Sequence, residues 1–72
     1  MLGKQIKLRR KTLRVSQHQL ADLAGISINT LYKIERGQAN PTLSTLEKIA
    51  DTLGMEVCLR IKDLENTGDE AG

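Results

Sequence analysis

The stretch SQHQLADLAGISINTLYKIERG, residues 16–37, decides the fold. Ser16 stands three residues before Gln19, the capping-box spacing in which each side chain satisfies a backbone N–H at the start of a helix. Leu20, Leu23 and Ala24 then supply an apolar face, and Gly25 ends the segment after about two turns, where a helix stops on a left-handed residue. Ser27 opens a second helix as another N-cap. From Ile28 to Arg36, Leu31, Ile34 and Glu35 share one side of that helix, while Ile28, Asn29, Tyr32 and Lys33 share the other. Gly37 closes it.

Working outward, residues 3–13 form a helix with Leu2, Ile6 and Leu13 on a stripe and Arg10 beside it. Lys4, Lys7, Lys11 and Arg14 spread over the rest of its surface. Downstream, Pro41 pushes Asn40 out of helical geometry, so Gln38 to Pro41 is a loop. A fourth helix runs from about Thr42 to Leu53 on the stripe Leu43, Leu46, Ile49, Ala50 and Leu53, and Gly54 ends it. Beyond Gly54 the period changes. Met55, Val57, Leu59 and Ile61 alternate with Glu56, Cys58, Arg60 and Lys62, the pattern of a half-buried strand. A lone strand leaves its backbone unpaired, and the simplest partner is the same strand of a second subunit across a two-fold axis. The expected organisation is a helical domain over residues 1–54, a dimerisation strand over 55–62 and a disordered acidic tail over 63–72.

Two short helices joined by a tight turn, the second with a polar outward face, form a helix-turn-helix. Composition agrees. Seventy-two residues make one small domain, and with Tyr32 as its single aromatic the core must come from Leu, Ile, Val, Met and Ala. Residues 1–40 carry eight Lys or Arg against Asp22 and Glu35, a net of +6, whereas residues 41–72 carry three against seven acids, a net of −4. The basic half suits a polyanion. One His and one Cys cannot close a zinc site, the glycines fall singly at helix ends and form no phosphate loop, and no nucleophile is paired with a base, so neither enzyme chemistry nor a cofactor is expected. Nor does the chain hold a signal peptide or an apolar run long enough to span a membrane, and the expected location is the reducing cytoplasm.

With Ser16, Gln17, Leu20, Ala21, Ala24, Gly25, Ile26, Ser27, Leu31, Ile34, Glu35 and Gly37 in this order, the sequence resembles the Cro and phage-repressor (XRE) type of helix-turn-helix domain over residues 3–53. The resemblance implies a mainly α, compact four-helix lambda-repressor-like fold, with Arg10 and Glu35 as a partly buried ion pair. It also implies DNA contacts from Gln17, Ser27, Ile28, Asn29, Thr30, Tyr32 and Lys33, and from Asn40 in the following loop. Chemistry assigns roles among them. Gln17 at a helix N-terminus suits a phosphate. Asn29 can pair bidentately with adenine, Lys33 can reach guanine or a phosphate, and Ile28 can meet a thymine methyl. Tyr32 and Thr30 offer hydroxyls to phosphates.

The alternating strand, with Met55, Val57, Leu59 and Ile61 as its dimerisation face, resembles HipB-type antitoxins. That likeness implies a homodimer that represses its own operon at an inverted-repeat operator and binds a HipA-like kinase toxin. Two other readings stand beside it: a free-standing phage, mobile-element or restriction-modification regulator, and a protein-interaction module that binds no DNA.

Overall fold

The computed structural model describes residues 2–58 and forms four helices there: α1 (Leu2–Thr12), α2 (Gln17–Ala24), α3 (Ile28–Glu35) and α4 (Leu43–Thr52). Local chemistry sets their starts. The Ser16 hydroxyl accepts the Gln19 N–H at 3.0 Å while the Gln19 side chain accepts the Ser16 N–H at 2.8 Å, completing the expected capping box. Ser27 caps α3 through the Thr30 N–H. Thr42 is the N-cap of α4 through the Thr45 N–H and stands just outside the helix.

All four helices end in the same paired backbone motif, a six-to-one bond around a five-to-two bond. At the end of α2 these are Ile26 N–H to Ala21 O and Gly25 N–H to Asp22 O, and the corresponding donors are Gln38 and Gly37 after α3, and Met55 and Gly54 after α4. The residue inside each pair is left-handed, with φ of 71° at Gly25, 74° at Gly37 and 69° at Gly54. A Cβ at Gly25 would meet nothing within 4 Å, so that glycine answers to backbone torsion and not to space. The end of α1 uses the same pair of bonds, Val15 N–H to Arg10 O and Arg14 N–H to Lys11 O, with Arg14 in the left-handed position at φ 60°.

Leu20, Leu31, Ile49 and Leu53 are fully enclosed, and Ile6, Ala21, Ala24 and Ile34 complete the core around them. α2 packs on both α3 and α4, and α1 packs on α3. Several faces differ from the sequence reading. Leu23 is 70% exposed, because a helix wedged between two neighbours turns Leu20, Ala21 and Ala24 inward and leaves Leu23 outside the wedge. On α1 the inward row is Gly3, Ile6 and Arg10, and the expected stripe ends, Leu2 and Leu13, are exposed. Leu43, at the first position of α4, is exposed as well, while Leu46, Ile49, Ala50 and Leu53 hold the inner face.

After α4, Met55 packs half-buried on the core, and Glu56, Val57 and Cys58 are exposed. No strand is formed among the described residues. Leu59 to Lys62 and the tail expected over 63–72 lie outside them.

Candidate nucleic-acid interface

Among the described residues Glu35 and Arg10 are the buried charged ones, at 7% and 8% exposure. Their geometry is bidentate. Arg10 Nε donates to Glu35 Oε2 at 2.8 Å and an Arg10 Nη to Glu35 Oε1 at 3.1 Å, while the other Nη reaches Val15 O at 3.0 Å. One guanidinium thus ties the end of α3 to α1 and to the turn leading into α2, and the fork geometry makes the tie directional. The ion pair implied by the family resemblance is present.

Gln17 joins the same network. Its Nε2 donates to Glu35 Oε1 at 3.0 Å and the residue is half-buried, so one of its two amide N–H groups is engaged inside the domain. The Gln17 and His18 N–H groups at the start of α2 lack intrahelical acceptors, while the Gln19 N–H is taken by the Ser16 hydroxyl.

With Leu31, Ile34 and Glu35 buried, α3 turns Asn29, Thr30, Tyr32, Lys33 and Arg36 outward. Asn29 and Lys33 are exposed. The Ser27 and Thr30 hydroxyls bond each other at 2.8 Å, so Ser27 serves first as a cap. Ile28 departs from the expectation: it packs half-buried against the core, leaving only part of its surface for an outside partner. Asn40 is exposed in the loop after α3. The Gln38 N–H is taken by Lys33 O at 2.8 Å.

Arg36 belongs to this surface and the sequence reading passed over it. Its guanidinium lies 5.3 Å from the centre of the Tyr32 ring, a cation–π stack between residues four apart on a helix. The four-residue spacing was the available signal.

The chain belongs to the HTH_3 helix-turn-helix family, which matches residues 6–58. It is 46% identical over 56 residues to the immunity repressor protein of Bacillus phage phi105, covering 78% of this chain and 39% of that protein. It is 42% identical over 60 residues to the cryptic phage CTXphi transcriptional repressor RstR of Vibrio cholerae, covering 79% and 54%. Among solved structures, the master regulator for biofilm formation SinR in complex with DNA superimposes with a TM-score of 0.72 at 38% identity, covering 78% of this chain and 90% of that one. The chain spans from about one fifth to about two thirds of the length of the curated relatives it matches.

Proposed function

We propose that this protein is a sequence-specific DNA-binding transcriptional repressor that acts as a homodimer. The observation that carries this reading is α3 itself: its inner face is fastened by the Arg10–Glu35–Gln17 network, while Asn29, Tyr32, Lys33 and Arg36 stand outward. Such a helix fits the major groove, which is wide enough to admit it. Asn29 and Lys33 read base edges. Tyr32, with Arg36 stacked on it, and Thr30 meet phosphates, and the start of α2 beside Gln17 meets another. The likeness to SinR, solved with DNA, supports the same placement.

Repressors named from phages among the relatives favour a free-standing regulator. The finer reading, an antitoxin that also binds a HipA-like toxin, is supported by the alternation over residues 55–62 alone.

The test is selection of bound sites from random duplex DNA, with the salt dependence of the best site. The expected result is an inverted repeat with half-site centres about 34 Å apart or a multiple of that. Affinity should fall with salt at about −0.9 in log–log slope per neutralised phosphate. Asn29→Ala should weaken that site by roughly 1–3 kcal/mol and leave random DNA nearly unaffected. A flat salt response with no enriched sequence would hand the domain to a protein partner.

A further inference from the structure

Arg36 is exposed, closes α3 as its C-cap and keeps right-handed helical torsions, with φ −88° and ψ −1°. It follows Asn29 by seven residues, about two turns, so the two side chains leave the helix one above the other. Both lie on the side opposite the buried Leu31, Ile34 and Glu35. Tyr32 and Lys33 flank that line. In a groove that admits α3, the line opposite the buried face meets the floor, where base edges lie. Thr30, more than a quarter-turn round from Asn29, meets a wall, where phosphates lie.

The guanidinium is also held in a definite way. Its carbon lies over the Tyr32 ring, 5.3 Å from the centre, so one of its faces is covered. Among the described residues Arg10–Glu35 is the ion pair, so no carboxylate draws Arg36 aside. All five N–H donors of a guanidinium lie in its plane, and a ring over its face leaves that donor edge open.

We propose that Arg36 reads a guanine in the major groove, donating to O6 and N7 together, and that the Tyr32 ring is the positioning group that sets the plane of the guanidinium. The proposal rests on α3 being the DNA-reading helix and names one base that it selects. Guanine presents two acceptors side by side on its major-groove edge, the arrangement that a flat fork of donors matches. A phosphate satisfies any nearby positive charge and has no use for a fixed plane. The Tyr32 hydroxyl sits at the edge of the ring, so the same side chain can meet a phosphate through its hydroxyl and hold Arg36 on its face.

The experiment is site selection from random duplex DNA with the full 72-residue chain and three variants, Arg36→Ala, Tyr32→Leu and Tyr32→Phe. Affinities for the parent's best site and its single-base changes follow. Both side chains are exposed, so thermal unfolding of the variants should stay near that of the parent. The parent should enrich a site with a guanine whose replacement weakens binding roughly five- to hundredfold. Exchanging that guanine for 7-deazaguanine, which lacks the N7 acceptor, should weaken binding by parent and leave binding by Arg36→Ala unchanged. With Arg36→Ala the four bases should bind within about twofold of one another at that position, and every other position should keep its preference. Tyr32→Leu should lower the preference for that guanine roughly two- to fivefold. Tyr32→Phe, which keeps the ring and loses the hydroxyl, should retain the preference while weakening all sites alike.

An Arg36→Ala chain that loses affinity equally for every site, with a salt slope smaller by about 0.9, would assign the guanidinium to a phosphate and overturn the guanine contact. A guanine preference that survives Tyr32→Leu undiminished overturns the positioning role of the ring. In either case the parent's enriched site leaves α3 standing as the reading helix. A parent that enriches no sequence removes that reading, and the Arg36 assignment falls with it.

Discussion

α1 has two flanks, and they are built in opposite ways. Toward α3 the seam is closed and polar: Gly3 lets the backbones touch, and Arg10 grips Glu35 with two hydrogen bonds. Toward α4 the seam is open and largely apolar: a groove there is lined by Ile6 and Leu53 among others, and Arg9 Nε donates to Leu53 O at 3.0 Å. The closed seam fixes the angle of the helix that carries the outward polar face, a job that directional contacts do better than apolar ones. The open seam keeps apolar surface that nothing in the described chain covers.

The closed seam is where the largest effect is expected. Glu35→Ala leaves the Arg10 guanidinium buried without its carboxylate and removes the acceptor of Gln17, which should cost roughly 3–5 kcal/mol of folding free energy in chemical denaturation. Replacing both ends, Arg10→Met with Glu35→Leu, strands no charge and should recover most of that loss. If the seam serves orientation, the double variant stays folded yet binds its selected site more weakly. Unchanged operator affinity in a stable double variant would break the claim that directionality matters there.

Gly3 comes next. A Cβ at that position would lie 2.5 Å from Ile34 O and 2.6 Å from Glu35 O, both backbone atoms that cannot rotate away. Gly3→Ala should therefore cost about 1–3 kcal/mol by overpacking, set against less than about 1 kcal/mol gained in helix propensity. The net sign is destabilising, and thermal unfolding reads it directly. A stabilised variant would show that α1 does not sit on the end of α3 as described.

These two seams also explain what the sequence revealed. The helix boundaries were legible to within a residue because caps and stops act over four positions: Ser16 with Gln19, Ser27 with Thr30 and Gly25 with Asp22 carry their own signals. Facing was less legible in short helices. An eight-residue helix offers two turns, too few to separate the row Leu20, Ala21, Ala24 from the row Leu20, Leu23, Ala24, and only the two neighbouring helices decide between them. Residues whose work is tertiary gave no local sign. Gly3 reads as a weak helix former until the α3 carbonyls are placed over it, and Gln17 reads as a free amide until Glu35 is within 3.0 Å. Arg14 carries the left-handed stop of α1 without the glycine that marked the other three ends. In the candidate site, Asn29, Tyr32 and Lys33 were legible as an unexplained polar face, whereas position on the helical wheel does not report that Ile28 divides its surface between that face and the core.

The smallest effect belongs to the open seam. Arg9 donates to the last carbonyl region of α4 and brings a positive charge to that helix's C-terminus, where a charge of that sign is favourable. The bond joins a half-buried side chain to a backbone oxygen, so Arg9→Ala should cost only about 1 kcal/mol of stability. Its value lies in where the loss appears. The Arg10–Glu35 clamp holds α1 to α3 without help from Arg9, so intrinsic recognition by α3 should survive, measured as the ratio of specific to random DNA affinity. The groove's width, and with it any docking there, should change, measured as the dimer dissociation constant. If Arg9→Ala lowers that DNA ratio as much as Glu35→Ala does, the two flanks of α1 are coupled and the division between an orienting seam and a docking seam fails.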